Sequence, residues 1–338
     1  MKVVLTLLVR DEADIVDANL AFHLAAGVDF VIATDHRSRD GTTEILESYE
    51  QKGVLRLFRE DDEFSRQAEW QTRMARLAAT EHGADWVINS DADEFWWPRD
   101  ASLTKALQAV PDAYGVVRGL TRNFVPLEDD SGWFADRMTV RFAGGAPIND
   151  PATPFRPVVK VAHRGHPNVR VGNGGCHQVF GVPWPVLPGW YPFEVLHLPL
   201  RSREQSAGKY RKTWTGWADN LRGDLARSKQ HAERGRPDAV WERAAVDGRS
   251  LERGLADGAL VVDTRLRDAL RVVRTGASGS PGVEKLTFPL PSGSDLVAHS
   301  LQTIVFDEAE TVRSQRWVDE LWARVRSLEG SDRAGRSA

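Results

Sequence analysis

Residues 86–98 read WVINSDADEFWWP. A short apolar run bounded by polar residues suits a buried strand. This one ends in Asp91, Asp93 and Glu94, and Phe95, Trp96 and Trp97 follow directly. Carboxylates held close together repel and raise each other's pKa. Three at one strand tip stay ionised only with positive charge among them, and a divalent cation with oxygen ligands meets that need. The aromatic residues behind them read either as core or as ring faces for a flat apolar ligand such as a pyranose.

The chain around this stretch alternates. Residues 3–9, 30–34 and 54–58 are further apolar strand candidates. Residues 13–26 and 66–82 carry apolar side chains at helical spacing, and Asp40 or Thr42 caps a helix bearing Ile45, Leu46 and Tyr49. This alternation predicts an α/β fold with a doubly wound, mostly parallel sheet. Such sheets bind ligands at the carboxyl ends of their strands. Residues 112–200, rich in Gly, Pro and aromatics, read as mixed strands and long loops that finish the sheet and cover the site. A helical, charged region is expected over 216–330, with an amphipathic helix at 307–328, and then a disordered tail at 331–338.

The chain has 338 residues and a formal net charge of −4, which argues against nucleic acid as a partner. One cysteine, Cys176, excludes an internal disulfide framework and a cysteine-rich zinc site, and suits a reducing cytoplasm. No apolar run approaches the roughly 20 residues needed to span a bilayer, which leaves peripheral contact as the open membrane mode. The turn after the first strand, VRDEAD at 9–14, holds no glycine, and no GxxxxGK[ST] loop exists. Dinucleotide oxidoreductases and P-loop NTPases are therefore excluded.

The strand ends carry acid instead. Asp11 and Glu12 follow the first strand, Asp35 and Asp40 the second, and Asp91, Asp93 and Glu94 the fourth. This ordered set, LLVRDEADIV, DHRSRDGT and then SRQAEWQTRMARLAATEHGADWVINSDADEFW, resembles the family 2 glycosyltransferases of the GT-A fold. It is closest to the bacterial branch whose fourth strand reads D-x-D-E-F. The resemblance covers residues 3–100 well and continues loosely through VVKVAHR, NGGCHQV and EVLHLPLRSREQSAGKY to about residue 212.

The resemblance implies a Rossmann-like transferase domain over residues 1–215, with the nucleotide-binding half up to about 110 and an acceptor and lid half after it. It implies transfer of a sugar from a nucleotide-sugar donor, UDP-linked by analogy, to a saccharide or other hydroxyl acceptor, with inversion. Glu12, Asp35, Ser38 and Asp40 would shape the nucleoside pocket. Asp91 would face the ribose or the metal, Asp93 would ligate Mn²⁺ or Mg²⁺, and His197 or its rival His177 would complete the metal shell. Arg66 and Arg73, seven apart on one helix, and the cluster Arg201, Arg203, Lys209 and Lys212 would meet the diphosphate; both sets also read as surface ion pairs and an exposed helix start. The family's ED pair is not found at its expected place, so Glu194 and Asp150 stand as candidates for the general base. Two other classes remain. One is a haloacid-dehalogenase-type phosphatase, whose DxD sits on the first core strand. The other is a carbohydrate-binding protein on a degenerate transferase fold. Oligomeric state is not legible.

Overall fold

The computed structural model describes residues 1–63, 65–98, 102–143, 155, 157–172, 176–188, 191–216, 238–276 and 286. Asp150, the expected helix at 307–328 and the tail at 331–338 lie outside them.

Strands β1 (Val3–Val9), β2 (Phe30–His36), β3 (Leu55–Glu60) and β4 (Trp86–Asp91) alternate with helices α1 (Val16–Ala26), α2 (Thr42–Gln51) and α3 (Gln67–Thr80). The rest of the main sheet comes from β5 (Glu94–Pro98), β6 (Val116–Asn123), β8 (Val159–Arg164) and β11 (Phe193–His197). The minor strands are β7 (Val140–Phe142), β9 (Arg170–Val171), β10 (Val179–Phe180) and β12 (Leu260–Val262). Helices α4 (Leu103–Gln108), α5 (Phe134–Arg137) and α6 (Arg203–Gly216) fill in the second half.

The main sheet runs β3-β2-β1-β4-β8-β6-β11-β5. Pairings β1/β2, β2/β3, β1/β4 and β6/β11 are parallel, and β4/β8, β6/β8 and β5/β11 are antiparallel. The central strands bury both faces, as parallel strands under helices on two sides do. Val3, Leu5, Leu7 and Val9 of β1 join one core with Leu20, Phe22 and Leu46 of α1 and α2. Val4 joins the other core with Met74, Ala75 and Ala78 of α3. The sheet is thus doubly wound, as the alternation predicted.

The chain reaches β2 and β3 on one side of β1, then crosses to β4 on the other. That reversal opens a crevice between the ends of β1 and β4. A second constraint acts there. Only Ala92 and Asp93 link β4 to β5, although three strands lie between the two in the sheet. The link spans at most about 11 Å, whereas four strand spacings of about 4.8 Å come to about 19 Å. The sheet from β4 to β5 must therefore curl back on itself, which brings the end of β11 over the β4–β5 turn.

The same core takes in residues beyond 215. Leu266, Leu270 and Val273 of the helix Arg265–Gly276 belong to the same core as α1, and β12 pairs with β7. A strand thus lies within the region read as helical. Among the described residues, no helix is long and apolar enough to cross a membrane.

Candidate active site at the acidic turn

The turn between β4 and β5 is held from below by α1. The Asn19 amide donates to the carbonyls of Ala92 (3.0 Å) and Glu94 (2.7 Å). One turn on, the His23 ring lies against the Asn19 carbonyl (Nδ1, 2.9 Å) and accepts the Trp96 N–H at Nε2 (3.2 Å). Burial pulls His23 down to about 4, so it is the neutral ring this geometry needs. Trp96 and Trp97 are core, not ligand platforms. Trp96 meets Phe193 edge-on at 5.6 Å, and Trp97 stacks on Phe22 at 6.1 Å. The tryptophans anchor the strand that carries the acids.

Above the turn, Glu94 is registered opposite His197 of β11. His197 Nε2 lies 3.7 Å from Asp93 Oδ1. The tautomer follows from the next shell. Asn123 donates its amide N–H to the Phe155 carbonyl (2.8 Å), so its oxygen faces His197 Nδ1 at 2.6 Å and takes that proton. The Nε2 lone pair is left toward Asp93. Burial lowers His197 to about 4 against the pull of Asp93, so the ring is neutral at pH 7. A ring oriented this way is how metal-ligating histidines are set. Asp93, Glu94 and His197 offer ligand atoms all within 4.8 Å of one another, a carboxylate and imidazole set that suits Mn²⁺ or Mg²⁺ with further oxygen ligands.

Cations surround the carboxylates. Lys160 of β8 bridges Asp91 (2.9 Å) and Glu94 (2.6 Å). Lys209 of α6 sits on Asp93 Oδ2 at 2.7 Å. Arg201 is buried, with Asp14 at 2.7 Å and Glu12 also on its guanidinium. Burial pushes Glu94 up to about 8; Lys160 pulls against this, and Asp91 and Asp93 add to it. Burial acts on Asp93 in the same sense, but Lys209 and Arg201 outweigh it and hold its carboxyl well below the usual range. Five carboxyl groups thus meet three cationic side chains, and Glu94, at about 8, is mostly protonated at pH 7.

The other expected site residues fall as follows. Asp91 stands outside the Asp93 group, with its carboxylate on Lys160 at 2.9 Å. Asp35, at the end of β2, is buried and accepts from the Ser38 N–H (3.1 Å) and the Thr43 hydroxyl. Ser38 and Asp40 stitch two loops together: Ser38 accepts the Asp11 N–H (2.9 Å), and Asp40 accepts those of Ala13 (3.0 Å) and Thr42 (3.1 Å). Arg66 pairs with Asp62 (3.2 Å), and Arg73 pairs with Glu60 (2.5 Å) and lies over Phe58. His177 contacts the Val159 carbonyl through Nδ1 (2.6 Å), away from the Asp93 group. Arg203 reaches Asp238 at 3.9 Å, and the side chain of Lys212 lies outside the described residues.

Glu194 requires a correction. This general-base candidate lies three residues before His197. Residues three apart on a strand point to opposite faces. Glu194 accordingly faces away, buried between Arg122 (2.5 Å) and Arg265 (2.8 Å). A carboxylate there does not reach an acceptor hydroxyl beside His197. Sequence reading also missed Lys160, Asn123 and Asn19. VVKVAHR drew notice for its resemblance, but nothing in it says that its lysine meets a residue 69 positions away.

No family model and no curated protein matches the chain. Among solved structures, S. aureus TarS 1-349 in complex with UDP-GlcNAc is 12% identical over 93% of this chain and 92% of its own, with a TM-score of 0.35. The mannosyltransferase PcManGT from Pyrobaculum calidifontis, in complex with GDP-Man and Mn²⁺, is 15% identical over 92% and 86%, with a TM-score of 0.36. Glucosyl-3-phosphoglycerate synthase from Mycobacterium tuberculosis, in complex with Mn²⁺, UDP and phosphoglyceric acid, is 20% identical over 36% and 43%, with a TM-score of 0.25. Likenesses of this size align no site residues.

Proposed function

We propose that this protein is a divalent-cation-dependent glycosyltransferase. It takes a hexosyl group from a nucleoside diphosphate sugar, UDP-linked first, and passes it to a hydroxyl acceptor with inversion. The observation that carries this reading is the Asp93–His197 pair, with the Nε2 lone pair aimed at a carboxylate in the crevice where the strand order reverses. The TarS, PcManGT and synthase structures, with their nucleotides or Mn²⁺, are consistent with it.

In this reading Asp93 and His197 hold Mn²⁺ or Mg²⁺, which would supply charge stabilisation for the leaving diphosphate. Lys209, part-exposed on α6 and paired with Asp93, would meet that diphosphate, while Lys160 keeps Asp91 and Glu94 in place. Arg201 is locked by Glu12 and Asp14 and positions the turn after β1 rather than binding donor. The acceptor would enter by a cavity of about 450 Å³ lined by Asp14, Asp130, Trp133, Arg137, Ser202 and Glu204. Asp14 is tied to Arg201, so we assign the proton-accepting role to Asp130, whose Oδ2 accepts the Arg203 N–H at 2.8 Å.

A phosphatase of the haloacid dehalogenase type is less well supported, because the acidic pair ends β4 and not β1. The test is thermal stability with a panel of nucleoside diphosphates, each with and without Mn²⁺, on wild type and Asp93→Asn. Ligand binding to the native state raises the melting temperature by mass action. A cation-dependent shift for one nucleotide, absent in the variant, supports the assignment and names the base. No shift with any nucleotide overturns it.

A further inference from the structure

A second cavity, of about 710 Å³, lies between α3 and the β9–β10 hairpin and shares no lining residue with the acidic turn. Its volume falls within the range of ligand sites, roughly 300–1,000 Å³. Its walls are bolted together. The Thr72 hydroxyl oxygen accepts the Val171 N–H (2.9 Å), and Arg76 Nε donates to the Val169 carbonyl (2.8 Å). Val169 and Val171 share a core with Met74 and Ala78 of α3. A Cβ added at Gly172 would fall 2.9 Å from Gln178 Cγ and 3.4 Å from the Phe180 ring, so a glycine there lets the ring lie against the hairpin backbone.

The lining sets three arginines, Arg73, Arg76 and Arg170, against one carboxylate, Glu69. Arg73 is taken by Glu60 (2.5 Å), and Glu69 faces Arg66 (3.7 Å). Among the described residues, neither Arg76 nor Arg170 has a carboxylate partner. The whole chain carries a net charge of −4, so this is a local concentration of positive charge on an acidic protein. Beside it, Phe180 on β10 is 46% exposed. A guanidinium fork matches a carboxylate, and an aromatic face packs against the C–H face of a pyranose. We propose that this cavity binds an acidic oligosaccharide, with Arg76 and Arg170 on its carboxylates and Phe180 under one of its rings. The choice of a saccharide rests on the proposed function, to which this site adds a hold on the body of the acceptor. A neutral sugar would leave both guanidinium groups without an anion, and a bare phosphate would leave the ring face unused.

The test is isothermal titration calorimetry of the full chain with tetragalacturonate, with neutral maltotetraose of the same length and with inorganic phosphate. The proteins are wild type, Arg170→Gln and Phe180→Ala, two exposed positions whose replacement should leave circular dichroism unchanged. Wild type should bind tetragalacturonate more tightly than either control. Arg170→Gln should weaken that binding about tenfold, as loss of one charge-assisted hydrogen bond does. Phe180→Ala should weaken it about fivefold. Equal binding of maltotetraose, equal binding of phosphate, or wild-type affinity in either variant overturns the proposal. The Mn²⁺-dependent nucleotide shift in melting temperature, measured on the same wild type and Arg170→Gln samples, should be the same in both. A nucleotide shift without tetragalacturonate binding removes this site and leaves the transferase reading. Tetragalacturonate binding without a nucleotide shift removes the transferase reading and leaves the site.

Discussion

Two buried ionic clusters lie on opposite faces of β11. One joins Arg122, Glu194, Arg265, Asp263 and Arg141, with contacts of 2.5 to 2.8 Å. The other joins Glu12, Asp14, Asp91, Asp93 and Glu94 to Lys160, Arg201 and Lys209. As described, the first has three cations for two carboxylates and the second has five carboxylates for three cations. The first ties the strands β6, β7 and β11 to the helix at Arg265. The second has an oriented imidazole beside it. Burial is common to both, so burial alone does not mark a site. An oriented imidazole with its lone pair turned to a carboxylate does.

The comparison breaks most visibly at Glu194. Glu194→Ala removes the carboxylate between the buried Arg122 and Arg265 and should cost about 3–5 kcal/mol of stability. Urea unfolding measures it, and a change below about 1 kcal/mol would remove the structural role assigned to this cluster. Asp93→Asn should do the opposite. It should lower turnover roughly 10²–10³-fold, as loss of one preorganised electrostatic group does, with circular dichroism unchanged. Retained turnover would place the chemistry elsewhere.

Acid should separate both clusters from the neutral support beneath the turn. Burial raises Asp263, but Arg265 and Arg141 hold it at about 2, so its cluster survives mild acid. His23 sits at about 4 in the fold against about 6.5 when unfolded. As pH falls below 6.5 the unfolded state takes up the proton first, so stability drops until about pH 4. Between pH 7 and 5 this one ring should cost about 2 kcal/mol, and His23→Gln should flatten that slope in paired unfolding curves. The smallest expected effect is at Asn123. Asn123→Ala releases the His197 tautomer and should weaken Mn²⁺ binding about tenfold, with little loss of stability. Unchanged binding would mean that the imidazole needs no second partner.

The first half of the fold was legible because its signals are local. β1 runs over the residues the apolar pattern marked, and β2, β3, β4 and α3 differ only at their ends. The acids of the site were legible too, since a strand tip is read from the strand that precedes it. Glu194, a candidate base on the sequence, is turned away from the site by strand parity. The tryptophans behind the turn were open between core and ligand, and packing against Phe22 and Phe193 made them core.

By itself, then, the sequence determined the alternation of strands and helices over the first hundred residues, the acidic strand tips and the absence of a glycine-rich phosphate loop, all carried within a few residues of chain. Tertiary structure decided which of those acids share one space, which lysine each meets, which face His197 and Glu194 take and which nitrogen of His197 is left open. The physical reason is the curl of the sheet. A two-residue link cannot cross four strand spacings, so β5 and β11 fold back over the turn, and partners from distant positions meet there. No local pattern encodes that closure.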